Sequence, residues 1–301
     1  MNNTITDFNN NNNINYKDGN YAEIKKFSND DIPERATAMI FSGPTHSGKT
    51  IACSRLISDM YKNGVRWKTG YLFSSTADVT NSFNFIPPKH RYSNFNRDTL
   101  ANIFTKNKDT IKKGLKKGIP LFSLKKSVRT LVICDDLGYG NRRSDSMSGF
   151  SMTDPILEMA FCQSRHSSVD FLIIVHSCYA TLSPKCRKNA SLVFNFPTCN
   201  YSEMQGLILE NGIRNYFKMN EARKLINGLF QQKPFLCCVS TNWKVDKKDY
   251  RDLMSWWVAP DIDKLDNDLG KIKFRDKPTQ ESDDEDEDDS IFKKIKKYNG
   301  Y

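Results

Sequence analysis

Eight consecutive residues, Gly43-Pro44-Thr45-His46-Ser47-Gly48-Lys49-Thr50, fit the pattern G-x-x-x-x-G-K-[ST]. Every fixed position of that pattern answers a need of phosphate chemistry. Glycines let the backbone wrap a phosphate without Cβ clashes, and successive N–H groups at a helix start point at the anion. The lysine bridges β- and γ-phosphates, and the hydroxyl reaches Mg²⁺. The cofactors expected are therefore ATP and Mg²⁺, with Lys49 serving both binding and catalysis and Thr50 serving the metal. Such a loop needs a carboxylate at the end of another buried strand, and Leu131-Val132-Ile133-Cys134 runs into Asp135-Asp136. Asp135 is expected in the metal sphere and Asp136 as the general base that polarises the attacking water. His176 and Ser177 follow the apolar run 172–175, a place for a polar group that senses the γ-phosphate. Arg165 just before this run, and Arg187 beyond it, are candidates to reach a nucleotide held by a neighbouring subunit.

These residues need a parallel sheet to bring them to one edge, and the chain reads that way. Strands are expected near 36–41, 70–74, 129–134, 170–175, 192–196 and 234–240. Helical patterns fall at 48–62, 97–117, 154–164, 202–209 and 221–230, and Ser183-Pro184 opens a further short helix. Short apolar runs interleaved with helices predict an α/β fold, a doubly wound and mostly parallel sheet. Residues 1–22, with nine Asn among the first twenty, have no apolar pattern to bury and are expected as a disordered lead. Residues 23–261 are then the catalytic domain and 262–301 a polar tail.

The charge is unevenly placed. The 301 residues carry 45 Lys+Arg and 35 Asp+Glu, a net +10. The run at 281–289 holds eight acids and no base, which leaves 27 acids against 45 bases, or +18, on the rest. The natural counterpart of such a body is a polyanion. Lys112, Lys113, Lys116 and Lys117 share one face of a helix, with Ile111 and Leu115 expected on another. The stretch from Lys106 to Lys126, and the loop Gly138 to Ser151 with Arg142 and Arg143, are the candidate pore or DNA contacts. Trp256 and Trp257 read as packing residues rather than base-stacking ones. No apolar run approaches the roughly 18 residues of a membrane span. The N-terminus lacks a basic-then-apolar secretory pattern, so an intracellular protein with reduced cysteines is expected. The eight cysteines contain no Cys-x-x-Cys, and the four histidines do not fall at zinc-ligand spacing beside them, so buried apolar thiols are expected.

The loop Gly43 to Thr50, the pair Asp135-Asp136, Ser164-Arg165-His166 ahead of an apolar strand and Leu182-Ser183-Pro184-Lys185-Cys186-Arg187-Lys188-Asn189 after it resemble the genome-packaging ATPases of poxviruses, other large eukaryotic DNA viruses and their virophages. Those enzymes form part of the FtsK/HerA group of P-loop DNA pumps. The resemblance implies a P-loop NTPase core and a ring-shaped homo-oligomer, hexameric or similar, that hydrolyses ATP and drives double-stranded DNA into a capsid. It also implies contact with capsid protein, and a place in the host cytoplasm, a viral factory or the virion. Position by position, it makes Arg165 the candidate arginine finger. Two positions depart from the wider group, where Glu follows the metal Asp and Gln ends the fourth strand: Asp136 and His176-Ser177 stand there. Other functions open to the same engine are a helicase or another DNA-dependent ATPase, a small-molecule kinase, and a nucleotide-dependent scaffold that does not hydrolyse.

Overall fold

Runs of four to seven apolar residues without polar alternation are stable only as strands covered on both faces, and such runs form the centre of this molecule. The computed structural model describes residues 14–15, 23–76, 81–137, 154–232, 235–243, 252–258 and 268–276. Strands β1 (Ile14–Asn15) and β2 (Glu23–Ile24) make a small antiparallel ribbon. The other strands are β3 (Ala38–Ser42), β4 (Gly70–Ser74), β5 (Arg91–Tyr92), β6 (Thr130–Asp135), β7 (Val169–Val175), β8 (Leu192–Asn195), β9 (Leu236–Thr241) and β10 (Ser255–Val258). They form one eight-stranded sheet in the order β10-β9-β8-β3-β7-β6-β4-β5. All pairings from β8 to β5 are parallel, while β9 and β10 are antiparallel additions at one side.

The helices are α1 (Lys49–Lys62), α2 (Arg97–Lys116), α3 (Leu121–Val128), α4 (Pro155–Ser167), α5 (Cys178–Thr181), α6 (Pro184–Asn189), α7 (Tyr201–Glu210) and α8 (Met219–Phe230). Their ends follow from local chemistry. Asn96 caps α2 by accepting from Thr99 N, and Asp154 caps α4 by accepting from Ile156 N, with Pro155 at the first helical position. Gly64, at φ +89°, takes the left-handed turn just after α1.

Alternation along the strands divides the core. Met39, Phe41, Ile133, Leu172 and Ile174 point to the side of α1, where Leu56, Ile57 and Met60 meet them. Ile40, Val132, Phe171 and Ile173 point the other way, onto Phe104 of α2 and Leu157 and Phe161 of α4. A third cluster packs α7 and α8 on β9 and β10 through Leu207, Ile208, Leu225, Ile226, Leu236 and Trp256. Each fully buried side chain of this size contributes about 1.5–3 kcal/mol, so the sheet is a rigid platform.

The doubly wound expectation holds, with differences. The helix α3 and the strand β10 are additions to the expected elements. Trp256 and Trp257 lie buried on β10, as packing residues. On α2, Ile111 is buried but Leu115 is 46% exposed, and Gly114 takes the inward position instead. Within the expected tail, residues 268–276 pack on the body: Leu269 and Ile272 are buried, and Lys62 pairs with Asp268 at 2.5 Å. Leu269, Ile272 and Phe274, the last stacked on Phe85, anchor a segment that is otherwise polar. Apart from β1, the Asn-rich lead lies outside the described residues, as do Arg142, Arg143 and the acid run at 281–289. Among the described residues, no helix is long and apolar enough to cross a membrane, and no cluster of His, Cys, Asp or Glu has the arrangement of a metal site. Six of the cysteines are buried as free thiols.

Candidate active site

The sheet register brings the expected residues together. On β3, Ser42 lies opposite Val175 of β7, and Asp135 at the end of β6 lies opposite Ile174. Gly43, His176 and Asp136 therefore leave three adjacent parallel strands side by side, with β7 in the middle. Gly43 N donates to Val175 O at 3.2 Å, tying the start of the loop to the strand that ends in His176.

Two glycines in the loop are required by geometry. A Cβ on Gly43 would lie 2.6 Å from Phe196 Cβ, and Gly48 has φ +92° at the N-cap of α1. His46 also has positive φ, +60°. Pro44, Thr45 and His46 are exposed, Ser47 and Thr50 half-buried. Lys49 is 7% exposed and its Nζ donates to Pro44 O at 2.6 Å, so the side chain folds back across its own loop. Burial lowers its pKa, against the opposing pull of Asp135 and Asp136.

Asp135 is 5% exposed, and among the described residues its carboxylate accepts no hydrogen bond. Burial, with Asp136 adding to it and Lys49 opposing, pushes its pKa up to about 6. Asp136 differs in every respect. It is exposed, adopts φ +48°, and its Oδ1 lies 2.9 Å from His176 Nε2. Its carbonyl accepts from Ser75 Oγ at 2.8 Å. Two residues expected in separate roles are thus a hydrogen-bonded pair.

The turn that carries His176 is held by Glu203 of α7, a residue that no sequence pattern singles out. Glu203 is buried, and its carboxylate accepts from Ser177 Oγ, from Cys178 N at 3.1 Å and from Tyr179 N at 3.0 Å. Ser177 is spent on this contact and on capping α5. Beside it lies a cavity of about 10 Å³, the size of one water, lined by Ser42, Gly43, His176, Asn195 and Glu203; the buried Asn195 Nδ2 has no partner among the described residues.

The arginines separate. Arg165 is exposed in the last turn of α4, at the end of the sheet where β7 begins and thus opposite to the loop. Seven strand residues, about 20 Å, lie between these edges. Arg187 does not reach outward. It is buried, bound through Nε and Nη2 to Glu210, through Nη1 to Leu182 O, and stacked on Tyr179. The expectation that it could serve a neighbour is corrected, because its guanidinium is consumed within the fold.

A mostly parallel sheet, a phosphate loop between its central strand and a helix, and an aspartate pair ending a nearby strand define the P-loop NTPase fold. The sequence profile of the poxvirus A32 protein family matches residues 24–229, and the chain belongs to that family. Among solved structures, it is similar to the genome packaging NTPase B204 from Sulfolobus turreted icosahedral virus 2 in complex with ATP-gammaS (16% identity, 70% of this chain and 94% of that one, TM-score 0.39). It is also similar to the pCW3 conjugation coupling protein TcpA (12% identity, 85% and 69%, TM-score 0.47). The EssC ATPases 2 and 3 from Geobacillus thermodenitrificans share the fold (12% identity, 96% of this chain and 49% of that one, TM-score 0.50). No curated protein sequence matches.

Proposed function

We propose that this chain is an ATP-driven motor that moves double-stranded DNA, and that its task is to package a viral genome into a capsid. The observation that carries the engine is the edge where Asp135, Asp136 and His176 leave adjacent strands beside Lys49, which starts α1 after the loop. The loop from Gly43 to Thr50 holds the nucleotide phosphates. Lys49 exchanges its contact with Pro44 O for the phosphates as they arrive. Asp135, a buried hard-oxygen donor that accepts no hydrogen bond from the described residues, fits Mg²⁺ together with the Thr50 hydroxyl. When bound, the metal supplies charge neutralisation for the phosphates. Asp136 stands outside the sheet edge, oriented by His176, and takes the proton of the attacking water.

Arg165 supports the ring reading. Facing away from its own loop, it can stabilise only a nucleotide on a neighbouring copy. The domain that does this runs from residue 23 through the packed segment at 268–276. The +18 balance outside the acid run, with the exposed lysines 112, 113, 116 and 117 on α2 and its end, supports a polyanion as track. Capsid protein as partner, and the cytoplasm, a viral factory or the virion as location, follow from the packaging task.

The test is ATP turnover with and without double-stranded DNA, on material sized by chromatography. Stimulation by DNA, lost in Lys49→Ala, is expected; turnover unchanged by DNA would remove the motor reading. Mixing Lys49→Ala with Arg165→Ala subunits is expected to restore part of the activity that each lacks alone. No restoration, from subunits shown to co-assemble, would remove Arg165 from the trans role.

A further inference from the structure

Phe235 is the residue of the nucleotide edge that the reading above leaves unused. It sits just before β9, which runs antiparallel to β8, with Cys238 opposite Asn195. The start of β9 therefore lies at the same edge as the end of β3 and the phosphate loop. Its ring packs on the loop itself: Phe235 Cδ1 is 3.0 Å, and Cγ 3.4 Å, from where a Cβ on Gly48 would stand. Only a glycine at 48 lets the ring come this close.

Among the described phenylalanines, Phe235 alone combines two properties. Its backbone has φ +59°, a left-handed conformation that a bulky side chain rarely takes. It is 47% exposed and belongs to none of the apolar clusters of the core. An aromatic side chain that is both strained and half in water adds little to folding, and strain of this kind collects where a ligand is met. The residues that hold phosphate are polar and glycine-rich, whereas a nucleobase needs an apolar flat surface close by. Phe235 is such a surface in contact with the last glycine of the loop.

We propose that Phe235 forms a wall of the nucleobase subsite, stacking on the purine of a nucleoside triphosphate whose phosphates occupy the loop. The proposal rests on the phosphate-loop reading above and adds the part of the ligand that reading leaves without a partner. Stacking on an aromatic side chain is tolerant of base identity and changes affinity by about 5- to 100-fold per base.

The test compares two ligands on the full chain with Mg²⁺ present: a non-hydrolysable ATP analogue and inorganic tripolyphosphate, which has no base. In Phe235→Ala the analogue is expected to bind about 5- to 100-fold more weakly, while tripolyphosphate changes by less than about twofold. Phe235→Trp is expected to retain analogue binding, with indole fluorescence that responds to the analogue and not to tripolyphosphate. Equal losses for both ligands in Phe235→Ala would overturn the proposal, since the ring would then only prop up Gly48. Unchanged binding of both would overturn it as well. If the wild-type chain binds neither ligand, the phosphate-loop reading itself fails and takes the proposal with it. Retained tripolyphosphate binding in each variant reports that its loop is folded.

Discussion

Two aspartates on neighbouring strands, Asp170 of β7 and Asp135 of β6, are both buried, one at each edge of the sheet. Asp170 is fully covered and fully satisfied. Its Oδ2 accepts from Arg129 Nε at 2.7 Å and from Trp67 Nε1 at 2.7 Å; its Oδ1 accepts from Arg129 Nη2 and from Thr37 N, each at 3.1 Å. The same Arg129 reaches on to Glu34 O at 2.6 Å. Asp135 has comparable burial and, among the described residues, no such set, only the electrostatic pull of Lys49 against desolvation and Asp136. A buried carboxylate with every lone pair occupied fixes strands in place. One left without donors costs the fold stability, and such a cost persists where a ligand recovers it.

The sharpest way to break this comparison is to neutralise each aspartate. Asp135→Asn is expected to reduce ATP turnover by at least about 10³-fold, roughly 4 kcal/mol on the barrier. The same change should raise the melting temperature of the ligand-free protein by about 2–4 °C, because a buried charge has been removed. Loss of activity with a lower melting temperature would show that Asp135 is held by the fold after all. Asp170→Asn is the mirror image. It leaves Arg129 buried without its counter-charge and is expected to cost about 3–5 kcal/mol in urea unfolding, with ATP-analogue affinity of the folded fraction unchanged.

The two edges also differ in how far the sequence revealed them. The phosphate loop is eight contiguous residues, and the Asp pair closes an apolar strand, so each is a local pattern. The position of His176 at a strand end was equally local. Its pairing with Asp136, forty residues earlier, depends on β7 standing between β3 and β6, and no local spacing encodes that order. The Asp170 set joins residues 37, 67, 129 and 170 through the same topology. Glu203 looked like an ordinary first-turn acid, and Phe235 like one more aromatic before a strand. Arg187 shows the converse error. Its place after β7 suggested reach, but the carboxylate that consumes it, Glu210, arrives on α7 from the far side of β8. Elements were legible where hydrophobic period and caps agreed, as in α1 and α2. They were missed where a short helix carried lysines, as in α3, or where a strand at the side of the sheet had no alternation, as in β10.

Glu203 sharpens the contrast because it is a satisfied carboxylate at the catalytic edge. If satisfaction marks positioning rather than chemistry, Glu203→Gln should loosen the turn of His176 without touching the phosphates. The expected outcome is a fall of about 10-fold in kcat with KM for ATP nearly unchanged, from the loss of charge-assisted hydrogen bonds. A raised KM with unchanged kcat would instead place Glu203 against the nucleotide.

The smallest expected effect is a pH dependence of opposite sign in the free and liganded protein. The folded-state pKa of Asp135, about 6, stands above the ordinary carboxylate value. In the ligand-free protein its contribution to stability is therefore fully present below about pH 4 and lost as pH rises through 6. Nucleotide binding with Mg²⁺ requires the ionised carboxylate, so affinity should rise over the same window, by about tenfold between pH 5 and 7. Melting curves of the free protein and titrations with the ATP analogue, taken at the same pH values, should cross. Asp135→Asn is expected to flatten both, since the titrating group is gone while the loop, His176 and the Asp170 set remain. Slopes that persist in Asp135→Asn would assign the titration to another group and leave Asp135 no more exceptional than Asp170.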